Sequence, residues 1–134
     1  MTFVVATASD DDVREITRIM FKAYGGKNEY INAVFPRGLT EDGEQMTIQR
    51  LLFIKNLVSD VKWEKVSDPA TGQIVGGAMW GLHQDAKPQK FGLDGPPGTW
   101  ETEAEKEYAQ ALYNSLGEDE HAFWERNDLP CMSK

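Results

Sequence analysis

An α+β domain, with helices packed on a small antiparallel sheet, is the fold class this sequence predicts, and three observations carry it. Two segments, over 10–24 and from Thr40 to about Asp60, place apolar residues at helical spacing behind residues that cap helices. The stretch VKWEKVSDPATGQIVGGAMWGL then sets two strand-like runs on either side of a Pro/Gly turn. At 134 residues the chain has room for one core, so a single domain over 1–134 is expected.

The first element is a short β-branched strand, Phe3 to Thr7. Ser9 follows as an N-cap, and Asp10 to Asp12 fill a first turn where the helix dipole favours anions. Val13, Ile16, Met20, Ala23 and Tyr24 share one face, and Gly25-Gly26 supplies the stop. The stretch KNEYINAVFPRGL has no sustained period and reads as a loop with Tyr30 and Phe35 turned inward.

Thr40 opens the second helix, whose Ile48, Leu51, Leu52, Lys55 and Val58 outline a buried stripe with one charged member. The hairpin runs from Val61 to Val66, turns at SDPATG and returns over Ile74 to Leu82. Gly76, Gly77 and Gly81 in one strand mark either close approach by a ligand or another chain, or a bulge. Beyond His83, the loop QDAKPQKFGLDGPPG suits a pocket lid. Thr99 is expected to cap a third helix that buries Trp100, Ala104, Tyr108, Ala111, Leu112 and Ser115 and closes at Gly117. A last short helix runs from Glu118 to about Asn127.

Charge and composition exclude several functions. The net charge of −8 is concentrated over 94–128, where ten acidic residues face two basic ones, and the remainder balances at twelve and twelve. No basic stripe exists for phosphates, so no nucleic-acid partner is expected. No apolar run reaches the length of a membrane span, and the start has no basic region before its short apolar stretch. The single Cys131, in an expected tail, excludes an internal disulfide and multi-cysteine metal sites, which points to a reducing cytoplasm. His83 and His121 stand 38 residues apart without a ligand spacing, so no metal is expected.

Gln73 to Ala78 spells the six-residue pattern by which acetyl-CoA-dependent transferases hold a pyrophosphate. Such a loop works because free N–H groups converge at the start of a helix. Here the six residues lie in the return strand of a hairpin, so a cofactor loop is not expected.

The segments ATASDDDVREITRIMFKAY, NAVFPRG and KVSDPATGQIVGGAMWGLH together resemble the N-terminal half of the GNAT family of N-acetyltransferases. They are most similar to the branch common in filamentous fungi. The resemblance covers roughly 3–85 and implies a truncated fold that lacks the C-terminal acetyl-CoA-binding half. It therefore implies the substrate-facing scaffold without its cofactor. On that basis the sequence suggests a cofactor-independent enzyme of isomerase or cyclase type, in specialised metabolism, acting on a small apolar molecule. His83, Tyr24 and Tyr30 are the candidate hydrogen-bond donors, and Trp63, Trp80 and Phe35 the candidate walls. A partner-completed acetyltransferase and a non-catalytic dimeric module are the alternatives. The apolar strand edge left over 74–82, free of lysine and proline, predicts a homodimer or a covering helix.

Overall fold

The computed structural model describes residues 2–86 and 91–127, together with the backbone of 131–133. The elements follow in the order β1 (Val4–Thr7), α1 (Asp10–Tyr24), α2 (Glu29–Val34), α3 (Glu41–Leu57), β2 (Val61–Ser67), β3 (Ile74–His83), α4 (Glu103–Arg126) and β4 (Cys131–Ser133). The four strands form one antiparallel sheet in the order β1-β2-β3-β4, so the α+β class with helices on a small antiparallel sheet is the observed one. Among the described residues no helix is long and apolar enough to cross a membrane.

α1 begins and ends where its local chemistry dictates. Ser9 Oγ accepts from the Asp12 N–H at 3.2 Å and Asp12 Oδ2 accepts from the Ser9 N–H at 2.9 Å, a reciprocal box that satisfies two otherwise orphaned donors. Gly25, at φ 59°, closes the helix in the left-handed conformation that glycine adopts without steric cost. Salt bridges then hold the helix in place, Asp10 to Lys55 of α3 at 2.7 Å and Asp12 to Lys65 of β2 at 2.9 Å.

The Ser9 backbone N–H, and after it Lys65, hold the Asp12 carboxyl below its ordinary pKa. A carboxylate with a lowered folded-state pKa contributes stability above its unfolded pKa and loses it as pH falls through the folded value. Ser9→Ala is expected to cost about 1 kcal/mol. Asp12→Asn should destabilise the protein at neutral pH and progressively less as pH falls below the usual carboxylate range. Denaturant melts at the two extremes check this, and an unchanged difference would reject the assignment.

α1 lies on the face of the sheet that carries Trp63, which is buried with Ala8, Val13, Ile16 and Leu51. The approach is close because Gly77 has no side chain: a Cβ there would stand 2.5 Å from Ile16 Cδ1. Gly77 therefore serves the packing of the protein's own helix. A bulge is present as well, because Val66 pairs with Gly76 while Ser67 pairs with Ile74, leaving Val75 as the extra residue.

Two segments depart from the sequence expectation. The stretch read as a loop over 27–39 contains α2, capped by Asn28, whose Oδ1 accepts from the Ile31 N–H at 3.0 Å. Its six residues are too few to show a helical period.

The expected third and last helices are one helix, α4. Its cap is Thr102, not Thr99; Thr99 is buried in the preceding turn, with its hydroxyl donating to Pro96 O at 2.7 Å. Gly117 does not end the helix but lies beneath the His121 imidazole one turn on, where a Cβ would be 3.3 Å from the ring. The buried side of α4 is that of Ala109 and Trp124, and Tyr108 faces outward. A second core cluster forms there, with Val34, Leu93 and Ala109 buried and Tyr30, Ala33, Trp100 and Tyr113 packed around them. Phe35 packs against both clusters and joins them.

Candidate functional site

The residues singled out from the sequence do not converge. His83, at the end of β3, is buried, with Nδ1 3.4 Å from Asp60 Oδ2 and its ring edge-on to Trp124 at 6.2 Å. The C-terminal part of α4 packs over this candidate donor and buries it. Tyr30 sits with Tyr113 in the second cluster, and burial raises its phenol pKa. Tyr113 and Trp124 are separated by eleven residues of α4, about 16 Å along the axis at 1.5 Å per residue. The His83 and Tyr30 neighbourhoods are therefore distinct. Tyr24, the last residue of α1, is 45% exposed.

Trp63 and Trp80 do not share a wall. Trp63 pairs with Met79 and Lys62 with Trp80, and directly opposite residues leave an antiparallel sheet on the same side. The two tryptophans consequently occupy opposite faces, Trp63 in the core and Trp80 partly in solvent. Cys131, read as part of a tail, lies in β4 as the cross-strand partner of His83. The expected lid loop includes 87–90, which lie outside the described residues.

A concave surface does form elsewhere, between α2 and the start of α4. It is a groove of about 510 Å³ lined by Glu29, Asn32 and Ala33 of α2, by Pro36 and Arg37, and by Trp100, Glu101, Glu105 and Tyr108. The α2 residues follow the spacing i, i+3, i+4 and so present one face. Trp100 is fixed by its indole N–H, which donates to Ala33 O at 2.8 Å. Its ring also lies 5.3 Å from the Arg50 guanidinium, which is 5.1 Å from the Phe35 ring and donates to Val34 O at 2.7 Å. Burial lowers the Arg50 pKa, yet the two aromatic faces and the carbonyl accommodate its charge.

Arg37 frames the other wall and has a backbone φ of 57°, uncommon for a residue with a side chain. Its guanidinium donates to Gly98 O at 3.0 Å and pairs with Glu101 at 3.5 Å, tying the corner before α3 to the segment before α4. Its carbonyl accepts from the Thr40 N–H and hydroxyl at 2.9 and 2.6 Å. On the rim, Glu105 Oε2 accepts from the Glu101 N–H at 3.0 Å.

The site thus offers an aromatic and aliphatic floor with three glutamates and one arginine around it. None of the expected site residues is among those that line it; Phe35 and Tyr30 belong to the cluster that also holds the lining residues Ala33 and Trp100. Sequence reading missed Arg37, Glu105 and Asn32, and assigned Trp100 and Tyr108 to a buried helix face. The available signal was the FPRG segment before a strong N-cap. Comparison with protein-family models, with curated proteins and with solved structures returns no match.

Proposed function

We propose that this chain binds a small amphipathic molecule in the α2–α4 groove and acts on it without a cofactor, as an isomerase or cyclase. The scaffold would correspond to the substrate-facing half of a GNAT N-acetyltransferase, working in the cytoplasm. The groove carries the reading, because its volume of about 510 Å³ falls within the range of roughly 300–1,000 Å³ typical of small-molecule sites. Its aromatic floor and charged rim suit a ligand with an apolar body and a polar end. Holding a flexible molecule in one reactive conformer lowers a barrier with no nucleophile or metal. The succession of β1, the long helices α1 and α3 with the short α2 between them, and the β2–β3 hairpin supports the scaffold assignment.

A fragment screen followed by NMR on the labelled chain tests this. Hits should shift the signals of Ala33, Arg37, Trp100 and Tyr108. The exposed substitutions Glu105→Gln and Tyr108→Ser should weaken them at least tenfold without altering the fold. Hits that map elsewhere, or bind both variants unchanged, would remove the site. Acetyl-CoA is expected not to bind. A dissociation constant in the low micromolar range, about −8 kcal/mol, would favour the acetyltransferase reading instead.

We also infer a homodimer formed edge to edge through β3. β2 pairs along one side of β3, and on the other side β4 pairs with Gly81 to His83 only, so that along that second side Ile74 to Trp80 have no strand beside them among the described residues. An uncharged edge of this kind invites pairing with its own copy about a two-fold axis. A Cβ at Gly76 meets nothing within 4 Å, so Gly76→Lys places a charge at the edge and spares the fold. Light scattering should give about twice 15.1 kDa for the native chain and the monomer mass for Gly76→Lys. A monomeric native chain would refute the pairing.

A further inference from the structure

α4 carries a second apolar stripe that the fold leaves uncovered. Tyr108, Leu112, Leu116 and Phe123 fall within about 80° of one another at 100° per residue and extend over about 22 Å of helix. Leu116 is 64% and Phe123 53% exposed, whereas the core-facing residues of the same helix, Ala109 and Trp124, are buried. A single lipophilic side chain in solvent requires no explanation, but three exposed ones, Tyr108, Leu116 and Phe123, with the half-buried Leu112 between them on one face, form a docking surface.

Charge selects the occupant. Of the charged residues of α4, Glu105, Asp119 and Glu120 lie within about 40° of the stripe at 100° per residue, against Arg126 as the basic residue on that side, so this face is net negative. Asp119 lies within the stripe's own sector. Two α4 helices laid together would set acid against acid, which disfavours a second copy. We propose that this face docks a basic amphipathic helix of another protein, whose apolar side chains meet Leu112, Leu116 and Phe123 while its lysines or arginines meet the flanking carboxylates.

The test uses the full chain and two synthetic 18-residue helical peptides. Both carry leucines at helical spacing, and their flanking positions are lysines in one and glutamates in the other. Fluorescence anisotropy should show micromolar binding of the lysine peptide, weakening as salt rises, and at least tenfold weaker binding of the glutamate peptide. The double variant Leu116→Gln with Phe123→Gln, checked for an unchanged circular dichroism spectrum, should lose at least tenfold in affinity. NMR shifts in the native chain should map to α4. Absence of binding, equal binding of the two peptides, or full binding by the double variant would overturn the proposal. So would self-association of the native chain that the double variant abolishes, since the occupant would then be a second copy.

Discussion

Replacing Gly43 with alanine is expected to lower the stability of the fold by about 3 kcal/mol, at the upper end of the usual cost of overpacking. Gly43 lies in the first turn of α3, and a Cβ there would stand 1.9 Å from Arg37 O and 2.7 Å from Pro36 O. Both obstacles are backbone, so no side-chain rotation relieves the contact. The Arg37 carbonyl is further held by two hydrogen bonds from Thr40, and the Arg37 side chain is tied to Gly98. Relief would therefore require either the start of α3 or the whole 36–40 corner to move. Gly76→Ala is the internal control: it meets open space and should be neutral or slightly stabilising, because alanine is the less flexible residue in the unfolded chain. Urea melts of the two variants decide the matter. A Gly43→Ala variant within 0.5 kcal/mol of the native chain, the scatter of ordinary surface substitutions, would reject the close contact.

The same corner shows what local sequence encodes and what it does not. α1, α3 and the hairpin were legible because their determinants lie within a few residues: the Ser9 and Thr40 caps, the left-handed Gly25, the Asp68–Gly72 turn. The boundaries of α4 were not, since Thr99 and Thr102 are equally good caps in sequence and only the Thr99–Pro96 turn separates them. Its buried face was misassigned for a related reason. Apolar residues occupy two adjacent sectors of that helix, and which sector is buried depends on where α2 and Leu93 dock. The groove needed the same long-range information, since Ala33 and Trp100 meet across 67 positions of sequence. Periodicity cannot supply that pairing.

The largest single effect is expected at Trp63, where Trp63→Ala should cost about 4 kcal/mol and Trp63→Phe far less. Trp63 is 7% exposed, and its neighbours Ala8, Val13, Ile16 and Leu51 come from the β1–α1 junction, α1 and α3, so its removal leaves a cavity that several elements share. Its indole N–H is buried with no hydrogen-bond partner among the described residues. Leaving such a donor unsatisfied costs roughly 1–3 kcal/mol, and phenylalanine removes it. That gain offsets much of the packing lost with the smaller ring. The two substitutions therefore separate the roles a tryptophan on this strand can play. A core tryptophan shows its loss in the urea midpoint and is largely replaceable by phenylalanine, whereas a ligand wall shows its loss in binding with stability intact. Trp80→Ala, on the opposite and partly exposed face, should change stability by less than about 1 kcal/mol. If Trp63→Ala unfolds within 1 kcal/mol of the native chain, the core is not organised around this side chain. A Trp63→Phe variant as unstable as the alanine one would show instead that the indole N–H has a partner.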